Sequence, residues 1–376
     1  MGFEEWRKRR DSKRLHGGGS MQPIRVALVG CGAIARSVHL PAMSHLSDRV
    51  RLVATADLNE QAARAAAEPW GASVHTDYRP CVERKDVDMV MIATPEFEHQ
   101  GPVEAAAAAG KPILCEKPMA SSLAEADAML AACRRAGVRL MIGHSRRFTR
   151  RYMEIRRALD RGEIGRLRLV RENERRSRSP LGTRRGYYTA SHWTGDPRVS
   201  VGAALTNGIH EADLLRWFTQ ADPVAVFGEH KVTIEGNPGV PDFITYTVRF
   251  ANGALGSTEI SNVLPPGYPA FHQCELYGTA GAIRAKDQDL IGLTQYRDDG
   301  AEFPESFDIL LHNLTAYVRE WAGFLDALQL DGPVPMPPAD ARAALELALA
   351  AEDSARSGRV VHLGPAAPAS ETGARA

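Results

Sequence analysis

A short apolar run followed by a glycine turn limits the fold of this chain more than any other feature. Residues 24–29 read IRVALV, and residues 30–35 read GCGAIA. The apolar run predicts a strand that is buried on both faces. The turn fits the pattern G-x-G-x-x-G/A, which is informative only between such a strand and a helix. The folded part of the chain is therefore expected to open with a strand, a tight turn and a helix.

Strand-like and helix-like patterns alternate throughout residues 22–145. Ser122 and Glu125 form a capping box, which marks the start of one of the helices. Alternation of this kind predicts a parallel sheet with right-handed crossovers. The further strand-like runs lie at 51–57, 87–94, 112–118 and 138–144.

From residue 146 onward the pattern changes. Alternating segments replace the apolar strands, and Asn252-Gly253 lies between two of them, which is the strongest short-range signal for a hairpin. This half is expected to be an antiparallel sheet with a few helices, two of them at 312–330 and 339–358. The predicted regions are a disordered extension at 1–21, a parallel-sheet domain at 22–145, a second α/β domain at 146–363 and a flexible tail at 364–376.

Composition excludes several classes of protein. The 376 residues include 46 Lys plus Arg and 46 Asp plus Glu, so the net charge is zero and no nucleic-acid partner is expected. No apolar run approaches the ~18 residues that span a membrane, and the N-terminus lacks the apolar segment of a secretory signal. The five cysteines are scattered rather than spaced in pairs. We expect a cytoplasmic protein with reduced thiols, no metal site and no membrane partner.

The glycine turn predicts a dinucleotide site. Gly30 permits the tight turn, and Gly32 lets the backbone approach a pyrophosphate. Ala33 and Ile34 complete the turn at a helix N-terminus, where backbone N–H groups favour an anion. Ala35 allows the helix to pack closely on the strand. The alternative is a glycine turn without a ligand.

Asp57 ends the second predicted strand, where an acidic residue can hydrogen-bond the diol of an adenine ribose. A carboxylate there repels a 2′-phosphate, and no arginine adjoins it in the sequence ADLNEQ. NAD is therefore favoured as the cofactor, and NADP stays open as the alternative. Asp57 could also be the N-cap of the following helix.

Glu116-Lys117-Pro118 follows a predicted parallel strand. Ligands of open α/β sheets bind outside the carboxyl ends of the strands. Partial burial and a cationic nicotinamide would both lower the pKa of a lysine there, which makes Lys117 a candidate for proton transfer. A lysine on the surface is the alternative.

Several motifs occur in one order along the chain, and together they resemble the Gfo/Idh/MocA family over residues 22–363. The Glu-Lys-Pro segment after a Rossmann half is the most specific of them. The motifs are ATPEFEH (93–99), AGKPILCEKPMA (109–120), GHSRRF (143–148), WTGDP (193–197), NGIHEADLLRWF (207–218) and YGTAGAIRA (277–285).

The resemblance implies an N-terminal Rossmann fold and a C-terminal α/β domain on an open, mostly antiparallel sheet, which commonly forms a homodimer or homotetramer. It implies that a sugar, sugar derivative or polyol is bound against the nicotinamide. Lys117 and His210 are then the catalytic residues. The cofactor contacts implied are those of Thr94, Pro95, His99, Glu116 and Lys117. The substrate contacts implied are those of Arg147, Tyr188, Trp193, Thr206, Asn207 and His210.

One position departs from the family pattern. Many dehydrogenase members have an aspartate four residues before the histidine, and this chain has Thr206 there. In a continuous helix that residue lies beside His210, whereas Asn207 points elsewhere. Threonine cannot orient an imidazolium electrostatically, so Lys117 is expected to do most of the proton handling. Tyr187 or Tyr188 could share that work, or could simply pack.

Arginine is concentrated in residues 146–187, which contain 15 arginines, no lysine and 5 acidic residues. Some of these arginines are expected on solvated faces. Those in 176–185 lie near the substrate segment, and arginine prefers carboxylates and phosphates. They indicate an anionic sugar, or else ion pairs between subunits.

Three functions fit these motifs. The first is an NAD-dependent dehydrogenase acting on a secondary hydroxyl, or reducing the ketone. The second is a glycoside hydrolase of the same family that uses NAD transiently. The third is a sugar- or NAD-sensing regulator, which the retention of Lys117 and His210 argues against.

Overall fold

The computed structural model describes residues 22–177, 188, 192–264, 271–286, 293–297, 300–302 and 312–364. The predicted extension at 1–21 and all of the predicted tail except Gly364 lie outside these residues. The described chain forms two compact units. The first contains residues 22–154 and 312–345, and the second contains residues 155–302 and 346–364.

The first unit is built on a six-stranded sheet in which every described pair of neighbours is parallel. The strand order is β3-β2-β1-β4-β5-β6, so the order reverses between β1 and β4. A crevice at the carboxyl ends of the strands opens at such a reversal. The strands are β1 Ile24–Val29, β2 Val50–Ala56, β3 Ser73–His75, β4 Met89–Ile92, β5 Ile113–Glu116 and β6 Leu140–Gly143.

Helices connect these strands. The helix after β1 starts with π-helical turns at Ala35–His39 and continues as α1 Leu40–His45. The predicted capping box is confirmed, because Ser122 Oγ accepts from Glu125 N and Glu125 Oε2 accepts from Ser122 N at 3.0 Å. The other helices here are α2 Glu60–Ala67, α3 Tyr78–Val82, α4 Gln100–Ala108 and α5 Leu123–Ala136.

A helix from late in the chain completes the first unit. α9 His312–Gln329 packs against α1 and against the turn Ser145–Phe148. The sequence assigned this helix to the second domain, since sequence order alone cannot show that the chain returns. The boundaries between the units fall inside two further helices, α6 Arg150–Asp160 and α10 Pro338–Ser357.

The second unit is built on a nine-stranded sheet in the order β14-β13-β12-β11-β7-β10-β9-β8-β15. In this second sheet, β7 and β10 are the only described neighbours that run parallel. The hairpin at Asn252-Gly253 joins β9 to β10, with Gly253 at a φ of 82°, as predicted. The strands are β7 Leu167–Ser177, β8 Pro223–Lys231, β9 Phe243–Phe250, β10 Leu255–Leu264, β11 Phe271–Gly278, β12 Gly281–Lys286, β13 Leu293–Arg297, β14 Gly300–Glu302 and β15 Val361–His362.

Two consecutive helices lie in the second unit. α7 Ala203–Thr206 is short, and α8 Ile209–Thr219 packs on β7 and β10. All five cysteines are buried and have free thiols. Within the described ranges, no helix has the length and apolarity needed to cross a membrane.

Candidate functional site

Gly30 is required by the backbone that surrounds it. Its φ is 88°, a value that residues with a side chain rarely adopt. A Cβ on Gly30 would lie 2.6 Å from the carbonyl carbon of Ala93 and 2.6 Å from Thr94 N. The turn after β1 therefore rests directly on the chain that leaves β4, and only glycine fits there.

Gly32 is not required by the protein's own packing. A Cβ there would meet no protein atom within 4 Å. Gly32 and Ala33 are exposed and Ile34 is half-buried, whereas Ala35 is buried where the helix starts. The surface above the turn can thus accept a ligand that approaches the backbone, which fits a dinucleotide pyrophosphate.

Asp57 is held against this turn. Its Oδ2 accepts from Cys31 N at 2.7 Å, and its Oδ1 accepts from Asn59 N at 2.8 Å. The N-cap of α2 is Asn59, which accepts from Gln61 N at 3.0 Å, so the alternative N-cap role for Asp57 is wrong. The carboxylate of Asp57 is at the carboxyl end of β2, the position from which a ribose diol is bound.

Three predicted residues, Thr94, Pro95 and His99, lie in the loop after β4. His99 is fully buried, and its Nε2 is 2.9 Å from Thr94 O while its Nδ1 is 3.2 Å from Met119 O. Burial lowers the pKa of His99, which favours the neutral ring. A neutral ring donates through one nitrogen only, so His99 donates to one of these carbonyl oxygens and packs against the other. Thr94 Oγ1 is buried without a hydrogen-bond partner in the described part of the chain, which suits a ligand.

Glu116 is directed into the first unit. Its Oε1 is 2.8 Å from His39 Nε2, and its Oε2 accepts from Lys117 N at 3.0 Å. Trp321 Nε1 donates to His39 Nδ1 at 3.1 Å, so His39 donates through Nε2. Burial works to raise the pKa of Glu116, but the hydrogen bonds from His39 and from Lys117 N, together with the charge of Lys117, outweigh it and lower the pKa.

The carboxylate of Glu116 therefore links the backbone N–H of Lys117 to His39, in the π-helical turn that precedes α1. This contact differs from the cofactor contact that the resemblance implied for Glu116. Lys117 itself follows β5 at the carboxyl end of the sheet, as predicted.

Glu320 is a second buried carboxyl group, and the motifs did not point to it. It lies on α9, and a Cβ at Gly143 would be 3.5 Å from Glu320 Oε1 and 3.6 Å from Glu116 Oε1. Burial and the charge of Glu116 raise the pKa of Glu320 well above its usual range, which favours its protonated form. Neither of its oxygens has a hydrogen-bond partner among the described residues.

Glu96 was also missed by the motifs, although it stands inside ATPEFEH. It begins the turn Glu96–Glu98 after β4 and is 4% exposed. Burial raises the pKa of Glu96 to about 7, and the charge of Lys117 acts in the opposite direction. A buried carboxyl group of this kind can be recognised only from the structure, because its burial depends on the loops around it.

Arg147 is a buried residue that the resemblance placed at the substrate. Its Nη1 donates to Asp340 Oδ2 at 2.9 Å, on α10. Its charge is thus compensated within the first unit.

Thr206 and His210 do not lie in one continuous helix, which was the condition for placing them side by side. α7 ends at Thr206 and α8 begins at Ile209, because the backbone leaves the regular helix at Asn207, with φ −118°. Thr206 Oγ1 donates to Gly202 O at 3.0 Å. His210 is 7% exposed in the first turn of α8.

Tyr188 and Asn207 take part in a buried polar chain. Asn207 Nδ2 donates to Asn262 Oδ1 at 2.9 Å, and Asn262 Nδ2 donates to Tyr188 OH at 3.4 Å. Tyr188 is fully buried, which favours the packing role over a part in proton transfer. Trp193 is half-buried and stacks on His192 with ring centres 5.6 Å apart. Tyr187 lies outside the described residues.

The second unit also buries a cluster of charges under α8. Ligand atoms of Glu174, Glu211 and His272 lie within 4.8 Å of one another. His272 Nε2 is 3.4 Å from Glu174 Oε1, and Arg176 donates to the same oxygen. Because a guanidinium already balances Glu174, the cluster is an ion-pair network. Of the arginine-rich segment 176–185, only Arg176 among the arginines is described.

Comparison with known proteins agrees with this geometry. Residues 24–144 match an oxidoreductase family with an NAD-binding Rossmann fold, and residues 152–284 match the GFO/IDH/MocA C-terminal domain. The chain is 31% identical over 344 residues to an inositol 2-dehydrogenase of Rhizobium meliloti, covering 90% of this chain and 99% of that protein. It is 28% identical over 347 residues to a myo-inositol 2-dehydrogenase of Thermotoga maritima, covering 90% and 98%.

A solved structure supports the same assignment. The WlbA dehydrogenase from Bordetella pertussis, in complex with NADH and UDP-GlcNAcA, aligns with a TM-score of 0.79 at 25% identity, over 92% of this chain and 100% of that chain. The fold and the strand-end site define an oxidoreductase with an NAD-binding Rossmann domain. The chain belongs to the Gfo/Idh/MocA family, which confirms the resemblance, the fold class and NAD as the cofactor.

Proposed function

We propose that this protein is an NAD-dependent dehydrogenase that oxidises a secondary hydroxyl of a sugar, sugar derivative or polyol, or reduces the ketone. The observation that carries the proposal is Lys117, placed after β5 at the carboxyl end of a six-stranded parallel sheet and anchored by Glu116. The named activities of the relatives, which act on inositol, support a polyol as the substrate class.

The cofactor is proposed to bind along the first unit. Gly30, Gly32, Ala33 and Ile34 form the turn for the pyrophosphate, and Asp57 receives the ribose diol. The proposed contacts nearest the nicotinamide end come from Thr94, Pro95 and Lys117, with Glu116 holding the backbone of Lys117 and His99 packed between the loops. When bound, NAD supplies the acceptor for the hydride.

The protein's part in the reaction is to hold the substrate and move one proton. Lys117 Nζ is proposed to take the proton of the substrate hydroxyl, with His210 in a secondary role. Trp193 and Thr206 are proposed substrate contacts. Tyr188 and Asn207 are proposed to hold the substrate-binding surface of the second unit through Asn262. Arg147 is proposed to do the same for the first unit through Asp340.

A substrate panel tests this function. The purified protein is incubated with inositols, neutral sugars, uronates and nucleotide sugars, each with NAD⁺ and with NADP⁺, and NADH absorbance is followed. We expect at least one polyol or sugar to yield NADH in proportion to the substrate consumed. Cleavage of a glycoside without net NADH would contradict the dehydrogenase and favour the hydrolase. A response to uronates alone would support the anionic substrate.

The open face of the second sheet is proposed as a homo-oligomer interface. Leu255 is 51% exposed and pairs with Leu169, which in turn pairs with Tyr277, 40% exposed. These residues form an apolar row across three neighbouring strands. Sedimentation of the wild type and of Leu255→Glu is the test. A dimer or tetramer that dissociates in the variant is expected, and a monomeric wild type would contradict the proposal.

A further inference from the structure

Glu96 and Lys117 leave the sheet side by side. β4 and β5 are neighbouring parallel strands, with Ile92 paired to Cys115. Glu96 follows the carboxyl end of β4 and Lys117 follows the carboxyl end of β5. The buried ring of His99 lies between the two loops, 2.9 Å from Thr94 O and 3.2 Å from Met119 O. The position of Glu96 beside the lysine is therefore set by the strand pairing and by the packing of His99 between the loops.

Lys117 is the cation whose charge reaches Glu96. The charge of Lys117 lowers the pKa of Glu96 and also that of Glu116, so the ammonium lies within electrostatic range of both carboxylates. The two carboxylates differ in their hydrogen bonds. Glu116 is engaged by His39 and by Lys117 N. The carboxylate of Glu96 accepts from its own backbone N–H.

The other titratable groups of these loops do not compete for this role. Glu98, on the same turn, is exposed. Both ring nitrogens of His99 face carbonyl oxygens. Burial leaves Glu96 with a pKa of about 7, so it can change its protonation state in the range where a dehydrogenase works.

We propose that Glu96 is a positioning residue for Lys117 that holds its ammonium and receives the proton which Lys117 takes from the substrate. This inference rests on the proposed dehydrogenase function. In oxidation the substrate O–H bond breaks and its proton forms an N–H bond on the neutral amine of Lys117, while the hydride goes to NAD⁺. One N–H bond of the resulting ammonium then breaks and an O–H bond forms on the Glu96 carboxylate. Glu96 finally releases that proton to water, which restores both residues.

Two measurements on the full-length protein test this role, with Glu96→Gln, Glu96→Asp and the exposed control Glu98→Gln. The first is the pH dependence of Lys117 acylation by an amine-selective reagent without substrate, quantified by peptide mass spectrometry. Loss of the neighbouring negative charge favours the neutral amine. The midpoint of labelling in Glu96→Gln should therefore move to lower pH by about one unit. Glu98→Gln should match the wild type.

The second measurement is the pH profile of kcat/KM for oxidation. The wild type should lose activity below about pH 7, where Glu96 becomes protonated. Because Lys117 must itself be neutral to accept a proton, Glu96→Gln should keep an acidic limb but move it to lower pH by about one unit, and should lose about 10² in rate at high pH. Glu96→Asp should return the limb to its wild-type position. A merely structural role would lower the rate without moving the limb.

Identical labelling curves for Glu96→Gln and the wild type would overturn the proposal, and so would an acidic limb that stays at its wild-type pH in Glu96→Gln. A wild type that oxidises no sugar or polyol would overturn the proposed function instead. The labelling curves would then still decide whether Glu96 acts on Lys117.

Discussion

The two units hold their charged residues in different places. In the first unit, Asp57, Glu96 and Lys117 follow the carboxyl ends of parallel strands, with Asp57 and Lys117 half-buried and Glu96 buried in its turn. In the second, Glu172 and Glu174 lie within β7 and are fully buried beneath α8. Chemistry at strand ends depends on local turns, whereas buried charges depend on strand register and on helices from elsewhere. The first unit is therefore the easier one to interpret from motifs.

Among substitutions that test the difference between the two units, the largest loss of activity is expected at Lys117, after β5. Lys117→Ala should lower kcat by about 10²–10⁴, because the proton-transferring amine is lost, and should leave NAD affinity within a few-fold. Lys111→Ala is the matched control, since Lys111 precedes the same strand and its Nζ donates to Val87 O at 2.6 Å. Steady-state kinetics and NAD titration check both. A folded Lys117→Ala protein with near-wild-type kcat would contradict the role of Lys117.

Substitutions at Gly30 and Gly32 should have different effects, the first on the stability of the fold and the second on NAD binding. Gly30→Ala places a Cβ 2.6 Å from the Ala93–Thr94 backbone at a φ of 88°, so we expect a loss of about 3 kcal/mol in the free energy of unfolding. Gly32→Ala meets no protein atom and should change stability by only about 0.5 kcal/mol, while NAD affinity falls. Urea unfolding and calorimetric titration with NAD measure the two quantities. Equal losses of stability in Gly30→Ala and Gly32→Ala would contradict the difference expected between the two glycines.

His210 tests whether the second unit contributes to proton transfer. His210→Ala should lower kcat by about 10², the low end for acid–base groups, and so by less than Lys117→Ala. The reason is that Thr206 and His210 belong to different helices, and His210 lacks the aspartate of other members. Parallel kinetics on the two alanine variants decide the order. A greater loss at His210 would reverse the assignment.

Cofactor preference should respond to Asp57. Asp57→Ser combined with Leu58→Arg should shift kcat/KM toward NADP⁺ by at least about tenfold, because a repulsive carboxylate is replaced by a cation for the 2′-phosphate. Leu58 is 94% exposed, so the arginine meets no packing constraint. Asp57→Asn serves as the control that removes charge but keeps an acceptor for Cys31 N. A wild type that already prefers NADP⁺ would refute the assignment.

The smallest effect is expected at Glu320. The pKa of Glu320 is raised in the folded state well above its unfolded value. Above the unfolded pKa the folded protein therefore binds more protons than the unfolded chain, and the free energy of unfolding falls as pH rises. Glu320→Gln removes this linkage and should stabilise the protein on the order of 1 kcal/mol, more at high pH than at low pH. Thermal unfolding across pH measures the slope. An unchanged slope would show that Glu320 is ionised in the folded state.

Several features of the fold followed from short stretches of sequence. The alternation of strands and helices, the capping box at Ser122 and the hairpin at Asn252-Gly253 were all predicted and are all present. Each depends on residues a few positions apart, whose contacts are nearly independent of the rest of the chain. The turn at Gly30 belongs to the same group, because its φ restricts the residue type directly.

One departure from the sequence pattern has a different cause. Thr206 was expected beside His210 only in a continuous helix, but the backbone bends at Asn207. That bend is supported by Gly208, where a Cβ would lie 2.8 Å from Ala204 O. Packing between α7 and α8 sets the backbone conformation at Asn207 and Gly208. A four-residue spacing in the sequence cannot predict such packing.

The sequence by itself determined the family, the NAD-binding turn and the candidate lysine, because these depend on residue types at local spacings. Only the tertiary structure decided which acids surround Lys117. Glu96 is brought beside it by the pairing of β4 with β5, and Glu320 is brought near Glu116 by α9. Burial and nearby charge set the protonation of these carboxyl groups, and both arise from segments far apart in the chain.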